Sequence, residues 1–346
     1  MQAVLTRHSR QALGLIALCL SLHVGLAQNS RDPLPVQVND KYGFIDSTGK
    51  IVIPAEYDFA WGFSEGLASA WKGRQAGYVD SSGKFVIPTQ FQYARGFSQG
   101  LAEVELGEEW GYIDNQGNFV ISPKYAEVRS FSEGLAAVQT DKGLWGYVDK
   151  NGVEKIPPQF RLAWDFGENV AAVYREDRCG FIDSTGAVVI PFQFSECRGI
   201  KDGVAAVRVN AKWGFIDSKG EFFITPRFED AELFFEGLAA VEEGGKWGFI
   251  ERSGEFAIPP QFEYSRVEPG ITQFSEGLAG ATKEGKFGYI DKQGNFVIPP
   301  TFRKGSAFKN GIAQVCNTEH CGYSNLRTGP YLTDFPTNQA LAVQAW

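Results

Sequence analysis

Histidine is almost missing from this chain: there are three in 346 residues, and only His320 lies beyond residue 27. Ser-His-Asp and Cys-His catalysis both need an imidazole base, so that scarcity weighs against the common nucleophilic hydrolases. Positive charge is also short, with 33 Lys+Arg against 41 Asp+Glu and a formal net charge of −8. A nucleic-acid binder wants a basic face, and attraction to anionic lipid wants clustered cations; this balance supplies neither. No helical hydrophobic period runs through the chain after its first 27 residues, and no glycine-rich stretch opens a helix as a phosphate loop must. The longest apolar run, Leu13 to Leu22, is too short to span a bilayer.

That run belongs to a secretory signal peptide over residues 1–27. Arg7 and Arg10 form its positive end, and Gly25-Leu26-Ala27 places small residues before Gln28. Leu18 ahead of Cys19 disfavours a lipoprotein signal. Removing the segment takes away two arginines and no acid, leaving 31 cations against 41 anions. The expected location is therefore exported, periplasmic or extracellular, with no membrane insertion once the signal is removed.

What the sequence has in abundance is repetition. A glycine behind an aromatic slot recurs at Gly43, Gly77, Gly111, Gly146, Gly180, Gly214, Gly248, Gly288 and Gly322, in steps of 34, 34, 35, 34, 34, 34, 40 and 34 residues. A fixed period in this range denotes an array of small units. In one unit, Leu238 to Glu242 alternates as a strand, Trp247 to Ile250 is a second and Glu255 to Ile258 a third. Asp-x-x-Gly turns, such as Asp217 to Gly220, separate the second from the third, and Pro259-Pro260 is expected to end the third. A short fourth segment precedes the Phe-Ser-Glu-Gly corner. The Gly inside the second strand marks a bulge or a close approach, with a neighbouring aromatic expected to lie over it.

The unit Gly-Lys-Trp-Gly-Phe/Tyr-Ile-Asp-x-x-Gly-x-x-Val-Ile-Pro-Pro-x-Phe, closing with Phe-Ser-Glu-Gly-Leu-Ala-x-Val, resembles the bacterial WG (KWG) repeat family. The likeness spans about Val36 to Asp334. It implies a β-rich repeat protein, often exported, with no general catalytic activity. Ala76, Cys179 and Cys321 depart from it in the Trp slot, and Arg266 to Gln273 carries six extra residues. Trp110, Trp145, Trp213 and Trp247, with Gly111, Gly146, Gly214 and Gly248, are read as packing between repeats.

The fold expected is all-β: nine antiparallel meanders over residues 28–334, with 335–346 a tail or cap. Whole units at both ends favour an open β-hairpin solenoid, with a closed β-propeller-like array the alternative. Four cysteines remain after export, an even number that reads as disulfides, Cys316 with Cys321 across one turn and Cys179 with Cys197 as a second local bridge.

Two acidic columns recur, one through Asp46, Asp80, Asp114, Asp149, Asp183, Asp217, Glu251 and Asp291, the other through Glu65, Glu133, Asp202, Glu236 and Glu276. Glycosidase chemistry needs one unlike pair of carboxyls, whereas these repeat alike and suit turn capping. No catalytic residue, metal ligand or cofactor is assigned. Trp61, Trp71 and Trp164 lie outside the Trp-Gly column and are the candidate binding residues. The expectation is a non-enzymatic exported scaffold that binds a protein or polysaccharide, with a glycan-active enzyme or a ligandless envelope spacer as alternatives.

Overall fold

The computed structural model describes residues 32–331, apart from 47–48, 264–270, 310, 318–320 and 326–328. The signal segment, His320, Trp346 and the 335–346 tail lie outside the described residues.

The described chain forms nine antiparallel sheets in sequence order. Blade 3 shows the plan. A two-residue strand, Tyr93–Ala94, is followed by Ala102–Leu106, Glu109–Ile113 and Phe119–Tyr125, each paired with the one before. The short fourth segment expected from sequence is thus the first strand of the next blade in the seven four-stranded sheets, blades 1 and 8 having three strands among the described residues. Neighbouring first strands approach each other, as Glu196–Lys201 of blade 6 lies against Asp230–Phe235 of blade 7. These strands therefore form the inner edge, and the seven-residue last strands the outer one.

The outer strand runs straight through the prolines: Phe256–Phe262 contains Pro259 and Pro260. Proline is tolerated there because the strand is an edge and its pairing is broken by a bulge. The register slips between Trp247/Phe249 and again between Phe249/Ile250 as the third strand meets the fourth. That slip explains the repeated glycine. A Cβ on Gly111 would stand 2.5 Å from the Ile121 carbonyl oxygen and 2.7 Å from the Pro123 nitrogen, and Gly146 meets Ile156 and Pro158 in the same way. What lies over the glycine is the backbone of the outer strand, in place of the aromatic ring expected from sequence.

The array is closed. The Tyr323 hydroxyl of blade 9 donates to the Pro35 carbonyl of blade 1. This makes the molecule a nine-bladed β-propeller, the alternative arrangement of the sequence reading, and overturns the open solenoid. Whole units at the two ends gave no sign of closure because no strand is exchanged across the gap among the described residues. Blade 1 has three strands there, Leu34–Val38, Lys41–Ile45 and Ile51–Tyr57. Pro35 is its counterpart of Glu103, whose carbonyl accepts from the inner-strand Arg95 amide in blade 3. The Tyr323 hydroxyl fills that role instead.

Replacing Gly111 with Ala is expected to destabilise the fold by about 1–3 kcal/mol, the usual range for overpacking a tight site. Gly199, whose added Cβ would meet nothing within 4 Å, is the control and should be near neutral; urea denaturation of both variants checks this.

Candidate functional site

Each blade turns one face to the next, and six side chains meet there in a grid. In blade 3 the grid is Tyr93 and Arg95 on and just after the inner strand, Glu105 and Glu103 on the second, and Trp110 and Tyr112 on the third, each set by cross-strand register. Where the third strand carries tyrosine it bolts the seam; Phe44, Phe181, Phe215 and Phe249 stand at its position in blades 1, 5, 6 and 7. Tyr78 donates to the Arg95 carbonyl of the following blade at 2.8 Å, Tyr112 to Arg129 at 2.7 Å, Tyr147 to Trp164 at 2.7 Å and Tyr289 to Ser306 at 2.8 Å. Burial pushes the Tyr78, Tyr112 and Tyr147 hydroxyls well above the ordinary phenol range, and the Glu103 carboxylate adds to this for the first two.

A second latch lies beside the first, at the corner that leads into each blade's second strand. The Ser-Glu-Gly corner is a two-residue hairpin turn: Ser64 and Leu67 exchange backbone hydrogen bonds, and both Glu65 and Gly66 have positive φ, 52° and 85°. Its serine donates to the next blade, Ser64 Oγ to the Phe97 carbonyl at 2.5 Å and Ser98 Oγ to Phe131 at 2.8 Å. Its acid accepts from the next corner's amide, Glu65 from Gly100 at 2.9 Å and Glu276 from Gly311 at 2.7 Å. The other acidic column caps turns within a blade. Asp183 accepts from Thr185 and Ala187, and the Thr185 hydroxyl bond holds its carboxyl below the usual range.

The upper part of each seam differs from blade to blade. Between blades 4 and 5, the Arg129 guanidinium lies 4.4 Å from the Trp164 ring centre and 5.3 Å from that of Trp145. Between blades 5 and 6 stands the Cys179–Cys197 disulfide, Cα–Cα 6.0 Å. It joins neighbouring blades, where the sequence suggested a bridge local to one unit. Between blades 6 and 7, Arg198 covers the Trp213 ring at 4.9 Å and pairs with both Asp230 and Glu232. Cys316–Cys321 joins facing positions of one hairpin in blade 9.

These seams place the candidate tryptophans. Trp110, Trp145, Trp213 and Trp247 are all buried between blades. Trp71 is buried too, at 8% exposure, and stands directly cross-strand from Ala76. The indole absent from the Trp slot of blade 2 is supplied from the opposite strand, so Trp71 fills core and presents no open face. Cross-strand register is the signal that identifies it, and it needs the strand pairing the sequence alone had only in outline. Tyr174 stands likewise opposite Cys179. Trp164 is half-buried under Arg129. Trp61 alone of the three is open, at 42% exposure. Rings continue from it: Phe59 lies 5.1 Å from Trp61 and 5.4 Å from Trp71, Trp71 lies 5.6 Å from Tyr93, and Tyr93 5.7 Å from Trp110. Tyr93 is 37% exposed. This ledge spans the inner part of blades 2 and 3, and sequence reasoning missed Tyr93 because its column holds residues of every kind.

Repeating four-stranded sheets, a bulge-bound glycine and seam tryptophans define a propeller of WG-type blades. The chain belongs to the WG containing repeat family, whose model matches residues 42–70, 77–110, 110–143, 145–179, 180–213, 213–247, 247–287 and 287–318. No curated protein matches the sequence. Among solved structures, the crystal structure of the eukaryotic initiation factor superposes with a TM-score of 0.61 at 9% identity, covering 86% of this chain and 94% of that one. Dihydro-heme d1 dehydrogenase NirN in complex with DHE gives 0.50 at 12%, covering 87% and 76%. BamB from Moraxella catarrhalis gives 0.46 at 12%, covering 84% and 92%. At such identities the likeness is one of fold alone.

Two outcomes are expected from the seams. The buried tyrosines stabilise the fold as neutral phenols, so their contribution is complete below the ordinary tyrosine value of 10.0 and is lost as pH rises above it. Tyrosinate absorbance followed together with circular dichroism should show this group ionising only as the fold is lost. Replacing Cys179 and Cys197 together by Ala should cost roughly 2–4 kcal/mol by the loop-entropy estimate, measured by thermal denaturation against the unmodified chain.

Proposed function

We propose that this chain is an exported, non-enzymatic repeat scaffold that binds a protein or a cell-surface glycan through an extended face of its ring. The observation that carries the reading is how the acids are used. The corner glutamates accept from the next blade's amides and the turn aspartates from their own, so one acidic column links blades and the other caps turns. An acid–base pair needs two carboxyls in unlike surroundings, and the columns repeat the same surroundings from blade to blade. The exposed part of the aromatic ledge offers a contact surface that the fold itself does not consume.

Export is supported by the signal-like residues 1–27 and by the two disulfides, which persist in oxidising compartments. Among the described residues, no helix is long and apolar enough to cross a membrane.

The test is a capture experiment from cell-envelope extract with the tagged chain, alongside a turnover screen of exported polysaccharides. A retained partner with no turnover is the expected outcome. Hydrolysis abolished by one carboxylate substitution would replace this reading with a glycan-active enzyme, and failure of every capture and glycan assay would leave an envelope spacer.

A further inference from the structure

The ledge of blades 2 and 3 differs from the other seams in what it leaves unused. In the seam between blades 6 and 7, Arg198 is held by two carboxylates. In the seam between blades 5 and 6 the positions of Arg95 and Glu105 are held by Trp164 and Tyr174, beside a disulfide. In blade 3, Arg95 lies flat on Trp110 at 4.4 Å and gives one donor to the Val128 carbonyl at 2.8 Å, without an ion pair to any described carboxylate. A guanidinium has five donors, so others remain. Glu105 is the direct cross-strand neighbour of both Tyr93 and Trp110. Its side chain accepts no hydrogen bond among the described residues, and burial holds its carboxyl above the usual range while Arg95 opposes this.

One step further along the same strand face, Glu103 is 1% exposed and neither of its carboxylate oxygens has a hydrogen-bond partner among the described residues. The same position holds Ser69, Ala137, Ala172, Ala206 and Ala240 in other blades. Burying an unpartnered carboxylate costs several kcal/mol in typical cases, and a packing role would be met by alanine as it is elsewhere.

From these observations we infer that Trp61, Tyr93, Arg95 and Glu105 form a carbohydrate subsite, which takes a stretch of neutral oligosaccharide across blades 2 and 3. The inference rests on the binding reading above and names its ligand class. The exposed rings of Trp61 and Tyr93, one on each blade, offer apolar surface to the C–H faces of pyranoses, and Phe59 with the buried Trp71 links the two in a chain of edge-to-face contacts at 5.1–5.6 Å. Arg95 and Glu105 provide donors and an acceptor side by side. A hydroxyl donates and accepts at once and satisfies both, whereas a cationic ligand would leave the arginine repelled and an anionic one the glutamate. Glu103 lies on the same strand face, one alternate position from Glu105 and next to Arg95 in the cross-strand register.

The experiment titrates the full exported chain with cellohexaose, chitohexaose and xylohexaose, with hexaglutamate and hexalysine peptides as charged probes, reading tryptophan fluorescence and calorimetric heat. At least one neutral oligosaccharide should bind saturably, and Trp61→Ala, Tyr93→Ala and Glu105→Gln should each weaken it tenfold or more. Trp61 and Tyr93 are exposed, so their variants should retain the parent's melting temperature. A Trp346→Ala control should bind as the parent does. Absence of binding by all three oligosaccharides, binding that survives the ledge substitutions, or ledge-dependent binding of a peptide alone would overturn the subsite. A protein captured from envelope extract in spite of that result would leave the broader scaffold reading intact. Turnover of a ledge-bound oligosaccharide would end the non-enzymatic reading and keep the subsite.

Discussion

A blade of about 34 residues has too little interior to stand alone, so this molecule depends on the fit of one sheet's face to the next. The geometry of that fit begins with the bulge between the third and fourth strands. Because the outer strand's backbone crosses directly over Gly111 and its counterparts, the sheet twists sharply there. The tyrosine on the next residue then reaches the inner strand of the following blade. The glycine makes room for the crossing, and the aromatic residue after it, tyrosine in five blades and phenylalanine in four, uses the orientation it produces.

Given that frame, the upper seam tolerates wide chemical variety. Aromatic rings, stacked arginines, the disulfide-bonded Cys179 and ion-paired side chains occupy the same six positions in different blades. The lower seam is more regular, with a corner acid or amide accepting from the next corner in most blades and a corner serine at Ser64, Ser98, Ser132 and Ser275 donating to the next blade. The protein therefore separates the two tasks in space. The glycine crossing recurs in blades 1 to 8, and the chemically varied positions include the inner upper rim, where Trp61 and Tyr93 are open to solvent.

Much of this was legible in the residues. The glycine period fixed the number of blades, and the Asp-x-x-Gly and Ser-Glu-Gly signals located both kinds of turn. The outer strand's extent was misjudged because proline reads as a strand end, and only the bulge register shows that an outer edge accommodates it. Ring closure was not legible because it rests on a single tyrosine meeting a carbonyl 288 positions away, with no exchanged strand to leave a pattern. The role of Trp71 was hidden for a related reason: the sequence shows a missing Trp at Ala76 and an extra Trp five residues earlier, and register alone reveals that they are one substitution.

The Tyr323–Pro35 contact also sets the mechanics of the ring. Eight of the nine junctions carry covalent backbone from one blade to the next, and the ninth is held by side chains and packing. A closed circle shares strain among all its joints, but it opens at whichever joint has no chain running through it. Blades 1 and 9 are therefore the place where a pulling force, a protease or a thermal fluctuation first turns the circle into a line. The Cys316–Cys321 bridge braces the hairpin on one side of that gate, while the blade 5–6 disulfide sits on the far side of the ring, where the chain already crosses and the gate's opening is least felt.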